Sequence, residues 1–164
     1  MAKQVEVLET ERLILRGIRE DDAAEIVKWR SDPGVYRYFK NPKKITIESH
    51  LDWYHTRYLQ DENRMDWMCI VKETGEKIGV FGLVLSQEEA EVNYLLAPEA
   101  QHKGYAREVI SVLIAFTKRT LRKKRVTAEI HHFNYASVKL VENLGFKLST
   151  EEDEFLLYKI GERP

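Results

Sequence analysis

Apolar positions in this chain recur at two spacings, and the switches between them divide it into strands and helices. Leu13 and Leu15, extended by Ile18, alternate with polar residues as in a first strand. Asp21 or Asp22 then caps a helix carrying Ala23, Ile26, Val27 and Arg30, which Pro33-Gly34 breaks. Leu51, Tyr54 and Tyr58 take helical spacing over roughly Ile47 to Leu59. Two apolar runs, Trp67 to Val71 and Ile78 to Leu85, flank Glu73-Thr-Gly-Glu-Lys77, a hairpin by its turn chemistry. A second polar turn, Gln87-Glu-Glu89, leads into a strand over Glu91–Ala97 that stops at Pro98. Val109, Ile110, Val112, Leu113, Phe116 and Leu121 then form the apolar face of a long helix. Val126, Ala128 and Ile130 alternate as a further strand. A helix from Tyr135 to Leu144 ends at Gly145, and Phe155–Ile160 forms a last strand. The order is β-α-α-β-β-β-α-β-α-β-β, an α/β (α+β) fold with a mixed sheet. No linker, low-complexity segment or internal repeat interrupts it, so residues 1–164 are expected to form one domain.

Composition narrows the class. The 164 residues are 43% hydrophobic, enough for one ordinary core. A net charge of -1 provides no whole-molecule field toward free nucleic acid or an anionic membrane. No apolar run is long enough to span a bilayer, and Lys3, Glu6, Glu9, Glu11 and Arg12 interrupt any leader. The single cysteine, Cys69, excludes an internal disulfide and lies in an apolar run, where a buried inert thiol is expected. Together these predict a cytoplasmic protein. An exposed strand or helix would allow two copies to pair, but nothing in the sequence selects one.

The segment from Glu91 to Ala106 carries the clearest chemistry. A strand stops at Pro98, a polar loop follows, and a helix opens near Ala106. Loop N–H groups and the helix dipole converge there, which makes an anion site. Gly104 and Ala106 allow a phosphate to approach the backbone. A nucleotide-containing cofactor is the simplest ligand.

Gln101-His-Lys-Gly-Tyr-Ala106 resembles the pyrophosphate-binding motif, Arg/Gln-x-x-Gly-x-Gly/Ala, of the GNAT superfamily of acetyl-CoA-dependent N-acetyltransferases. Thr10-Glu-Arg-Leu-Ile-Leu-Arg16 is similar to the first strand of its ribosomal-protein acetyltransferase branch. Asn134-Tyr-Ala-Ser137 with Glu142-Asn-Leu-Gly-Phe146 is similar to the last helix and its exit. The resemblance implies the element order already read from the pattern, and a mostly antiparallel sheet flanked by helices. It also implies acetyl-CoA as cosubstrate, held by the loop from Gln101 through His102, Lys103, Gly104, Tyr105 and Ala106 to Arg107. Main-chain groups at Leu95 and Leu96 and the side chain of Asn134 complete that expectation; Asn134 reads equally as a helix N-cap. His102 stands where many members carry glycine.

Acetyl transfer to an amine needs a positioned thioester, a neutral amine and a stabilised leaving thiolate. Many members supply a tyrosine seven positions after the asparagine, where this chain has Val141. Ser137 offers a hydrogen bond to the thiolate instead, or simply bonds helix backbone. Glu91 and Glu129 are the candidate bases, Glu91 opposite in alternation to Tyr94. No activated nucleophile is visible for a covalent acetyl-enzyme, so direct attack in a ternary complex is expected.

The acceptor is expected to meet the first third of the chain. Trp29-Arg-Ser-Asp-Pro33 and Glu48-Ser-His-Leu-Asp-Trp53 resemble the branch that acetylates nucleotide-linked amino sugars; Trp29, Arg30, His50 and Trp53 would then contact substrate. The alternative is that both tryptophans belong to the core. Thr-Glu-Arg-Leu and Asn-x-x-Ser point instead to N-terminal amines of ribosomal proteins, and Glu91–Ala106 also resembles spermidine acetyltransferases. A non-catalytic acyl-CoA sensor is the rival that Val141 favours. Lys118, Arg119 and Arg122–Arg125 complement a helix C-terminus or meet a polyanion. His131 and His132, adjacent on a strand, are expected to face opposite ways, and no spacing suggests a metal site.

Overall fold

The computed structural model describes residues 3–162. Eight strands form one sheet: β1 (Leu8–Glu9), β2 (Leu13–Gly17), β3 (Arg64–Val71), β4 (Lys77–Leu85), β5 (Glu89–Leu96), β6 (Arg125–His131), β7 (Lys147–Glu152) and β8 (Phe155–Gly161). The order across the sheet is β1-β2-β3-β4-β5-β6-β8-β7. Every neighbouring pair is antiparallel except β5 and β6. Helices α1 (Ala23–Arg30), α2 (Pro33–Tyr36) and α3 (Ile47–Thr56) lie between β2 and β3 in the chain; α4 (Tyr105–Arg119) and α5 (Tyr135–Asn143) flank β6.

Register divides the sheet into two faces. Trp67, Phe81 and Tyr94 stand in one cross-strand row, and Trp67 packs edge-on against Phe116 of α4, 5.8 Å between centroids. Leu13, Leu15 and Cys69 share that face and are fully buried beneath it. Burial pushes the Cys69 thiol pKa upward, which removes it as a nucleophile. Asp66, Gly82 and Asn93 form the adjacent row on the opposite face. A Cβ on Gly82 would lie 2.2 Å from Asp66 Oδ1, so only glycine leaves room for that carboxylate.

Several predicted boundaries change for local reasons. Asp22 does not cap α1 through its side chain. Its buried carboxylate instead accepts from Arg16 at 2.8 and 2.9 Å, from Lys77 at 2.8 Å and from the Arg19 N–H at 2.8 Å. Burial alone would raise its pKa; these donors outweigh burial and pull it to about 2. Pro33-Gly34 starts α2 rather than merely ending α1, because Asp32 accepts from Gly34 N–H and Pro33 needs no partner there. Helix α3 ends at Thr56, and a separate tight turn over Tyr58–Gln60 replaces the predicted final turn. Strand β5 begins two residues before Glu91, and the two-residue β1 was not foreseen. The basic cluster is not one solvated patch. Arg125 is pinned by Glu88 at 3.1 Å and Glu89 at 2.7 Å, and Lys124 by Glu88 at 2.9 Å. Strand β6 stops at His131, so His132 begins the turn. Its ring stands edge-on, 4.9 Å from that of His131, rather than on the opposite face.

Candidate active site

Strands β5 and β6 are paired over only three residues, Glu89↔Arg125, Ala90↔Val126 and Glu91↔Thr127. Beyond that point β5 continues to Leu96 against β4 alone, and β6 continues to His131 against β8 alone. The two strands therefore part, and a cavity of about 820 Å³ runs through the gap. Ala97 N–H donates to Ile78 O across β4. Alternation then turns the peptide edges of Leu96, Tyr94 and Val92 toward the gap, away from β4. These edges form a ready ladder for an extended ligand carrying amides.

The gap opens onto the loop ahead of α4. A tight turn over Pro98–Ala100 redirects the chain, and Gln101 Nε2 donates back to Leu96 O at 3.3 Å. His102 and Gly104 both adopt left-handed conformations, φ 63° and 83°. The histidine thus holds the conformation that glycine takes freely, at a cost of about 1–2 kcal/mol. Arg12 fastens the loop from outside. Its guanidinium donates to Lys103 O at 2.8 Å, lies 4.3 Å from the Tyr105 ring centroid and pairs with Glu108. Thr10 Oγ1 also donates to Glu108, at 2.7 Å. This accounts structurally for the Thr10–Arg12 segment. Lys103 turns away from the cavity, while Gln101, His102, Gly104, Tyr105, Ala106 and Arg107 line it. Loop N–H groups and the start of α4 give this end affinity for anions.

On the α4/α5 face, Tyr94 and Ser137 hydroxyls lie 2.7 Å apart. Tyr94 stacks on Phe81 at 4.8 Å and 6°, and burial raises its phenol pKa despite the hydrogen bond shared with Ser137. Asn134 caps α5, its Oδ1 accepting from Ser137 N–H at 3.4 Å, which leaves the amide nitrogen available. Val141 is buried and carries no donor, but the Tyr94 hydroxyl reaches the same helix. Sequence reading did not select Tyr94 for this role. Alternation set it opposite Glu91, whereas its contact with Ser137 depends on the β5–α5 docking across 43 residues.

The opposite face carries the carboxylates. Glu91 shares its orientation with Arg64 and Val84 across β3–β5, and Glu129 follows Thr127 by two residues on β6. Glu129 is ion-paired with Lys40. Glu91 has no such partner among the described residues. It faces the open cleft, yet the surrounding walls raise its pKa by desolvation, with Glu129 adding repulsion. Arg30, His50 and Trp53 line the same end. Trp29 does not; it is 5% exposed within the core, because it sits on the α1 face packed toward the sheet. Trp53 lies against Tyr58 at 5.2 Å and under the Arg64 guanidinium at 4.8 Å.

A parted parallel pair, a loop with left-handed residues at a helix start and carboxylates beside the gap lie along one cavity. The acetyltransferase (GNAT) domain family matches residues 12–147. The chain belongs to the GNAT family. It is an acetyl-CoA-dependent N-acetyltransferase. Relatives include the uncharacterized N-acetyltransferase YoaA of Bacillus subtilis, 32% identical over 86% of this chain and 82% of its own. The uncharacterized N-acetyltransferase p20 of Bacillus licheniformis is 32% identical over 87% and 83%. A domain from Methanocaldococcus jannaschii superimposes with a TM-score of 0.82 at 26% identity, covering 94% of this chain and all of that one. Spermidine N-acetyltransferase from Vibrio cholerae, solved with CoA and spermine, shares the fold at a TM-score of 0.80 and 18% identity, over 90% and 93%. None of the described helices is long and apolar enough to cross a membrane.

Proposed function

We propose that this GNAT enzyme transfers acetyl directly from acetyl-CoA to a primary amine, with Glu91 as the base. The observation that carries this reading is the division of the parted β5–β6 gap between two faces. Glu91 and Glu129 stand on one, and the Tyr94–Ser137 hydroxyl pair on the other. An amine arriving from the carboxylate side is deprotonated by Glu91, whose pKa burial raises above its ordinary value, which makes it a stronger base than a solvated carboxylate. Glu129, held by Lys40, supports that role by repulsion rather than by accepting the proton itself. The amine then attacks from that side, while the paired hydroxyls meet the departing sulfur from the other. Ser137 alone is a poor acid. Coupled to Tyr94 it has a second donor behind it, which supplies what Val141 cannot.

Acetyl-CoA fits the remaining surface. Its diphosphate would rest on the loop from Gln101 to Arg107 and its amide arm along the free peptide edges of Val92, Tyr94 and Leu96. The Asn134 amide nitrogen lies at the α5 end of the same path. When bound, the cosubstrate supplies the activated acyl carbon. Protein groups supply orientation and proton handling.

The test is thiol release from acetyl-CoA with a panel of primary amines, using the wild type and Glu91→Gln. The expected result is turnover with one amine class and its near-complete loss in the variant, with acetyl-CoA affinity retained. Tight acetyl-CoA binding with no thiol release from any amine would favour a binding role over catalysis. Full activity in Glu91→Gln would remove Glu91 as the base.

A further inference from the structure

At the acceptor end two cations have carboxylate partners and a third does not. Arg64 is matched by Asp66, at 3.2 Å, and Lys40 by Glu129. Arg30 has neither a carboxylate partner nor a hydrogen bond among the described residues, and its Nε is buried without an acceptor. Its guanidinium lies 5.3 Å from the Phe39 ring, a contact far weaker than a carboxylate. Beside it, His50 is 6% exposed, and its Nε2 is likewise buried without a partner. Both residues line the cavity. A buried guanidinium nitrogen left without an acceptor is disfavoured, so native structures seldom leave one unpartnered. Two such orphaned groups facing one cavity describe half of a recognition site.

We infer that the amine acceptor also carries an anionic group, carboxylate or phosphate, which docks on Arg30 with His50 and the outer side of Arg64. The inference rests on the acetyltransferase reading above and specifies its acceptor. Register sets the scale. Arg64, Val84 and Glu91 are cross-strand neighbours, so the Arg64 backbone stands two strand spacings, about 10 Å, from that of the base. The acceptor reaches from its amine at Glu91 past Arg64 to its anion at Arg30. Asp66 opposes anion binding, but its carboxylate is already engaged by Arg64. Burial and the neighbouring Arg30 charge keep His50 neutral, so it contributes a hydrogen bond rather than a charge. A polyamine places positive charge against Arg30 and Arg64 and gains nothing from either orphaned group. Shared fold with a spermidine enzyme thus does not extend to shared acceptor on this reading.

Two measurements test the inference. In the first, the protein is saturated with CoA to block the phosphate loop, then titrated with inorganic phosphate and, separately, acetate. The readout is the His50 ring resonance. A saturable shift, lost in Arg30→Met and retained in Arg30→Lys, supports the site; absence of any shift overturns it. The lysine variant controls for misfolding, since it preserves charge and length. In the second, thiol release is compared within matched pairs: an amino sugar against its phosphate ester, and an ω-amino acid against its amide. The anionic member of one pair is expected to show at least tenfold higher kcat/KM, and Arg30→Met to reduce that ratio at least tenfold. The favoured pair identifies phosphate or carboxylate. Equal rates within both pairs, or spermidine as the fastest acceptor, overturn the inference. If no amine releases thiol, the transfer reading fails, and the His50 titration alone decides whether the anion site exists.

Discussion

At the end of the cleft where α4 begins, the site is made of backbone. Left-handed residues His102 and Gly104, the loop N–H groups and the free edges of Val92, Tyr94 and Leu96 line the cavity there. At the other end it is made of side chains drawn from α1, α3, β3, β5 and β6, whose charges pair off except at Arg30 and Glu91. A backbone site tolerates changes of side chain and recognises a constant ligand. A side-chain site changes its ligand with one substitution.

The comparison breaks most sharply at Glu91. Replacing it with Gln is expected to lower kcat by at least about 10²-fold, the usual contribution of a positioned base, with little change in acetyl-CoA affinity. Glu129→Gln acts differently. Repulsion from Glu129 raises the Glu91 pKa, so removing it lowers that pKa and leaves Glu91 ionised at lower pH. The acid limb of the kcat/KM profile should therefore move downward in pH, while the plateau falls less than in Glu91→Gln. An unmoved limb would mean that Glu91 is not the group titrating there.

Next in size are the hydroxyls on the opposite face. Tyr94→Phe and Ser137→Ala should each lower kcat by roughly 10- to 100-fold, the value of one hydrogen bond to a charged group. Because the two hydroxyls bond each other at 2.7 Å, the double variant should be little worse than the poorer single variant. Additive losses in the double-variant cycle would show that they act separately.

Where each end became legible follows the same division. The loop, α4 and the β3–β4 hairpin were readable because they depend on local pattern. Gly75 takes φ 75° in the hairpin turn, and Gly104 takes φ 83° at the start of α4. Asp22, Tyr94, Arg30 and Arg125 were misread or left undecided. Each has partners, or lacks them, through packing between elements distant in the chain. Asp22 is capped by charge from β2 and β4 rather than capping its own helix. Arg125 is tied to Glu89 at the start of β5, 36 residues earlier, rather than to the helix it follows. Trp29 and Trp53 have similar sequence settings, yet one faces the core and the other the cavity. Helical spacing gives a periodicity but not the direction in which the helix is docked.

The backbone end supplies a smaller effect with a built-in control. Gly104→Ala adds a Cβ at φ 83° that would approach Arg12 Nη2 at 3.3 Å. The left-handed strain of about 1–2 kcal/mol should weaken acetyl-CoA binding by about tenfold as the loop relaxes away from its present shape. Isothermal titration of both ligands, acetyl-CoA and CoA, would show the loss equally, since the diphosphate is common to them.

His102→Gly should have the smallest effect, and its sign is informative. The substitution removes a comparable strain at φ 63° but releases more chain entropy on unfolding, about 0.5–1 kcal/mol. The two nearly cancel, so the melting temperature should move by only a few degrees. If the loop binds through its peptide groups, acetyl-CoA affinity should change less than about threefold, because glycine adopts the same left-handed conformation and keeps the same N–H. A loss of tenfold or more in a stably folded His102→Gly would assign the imidazole a direct part in holding the diphosphate. The cofactor end would then depend on a side chain as the acceptor end does, and the distinction between the two would fail at this residue.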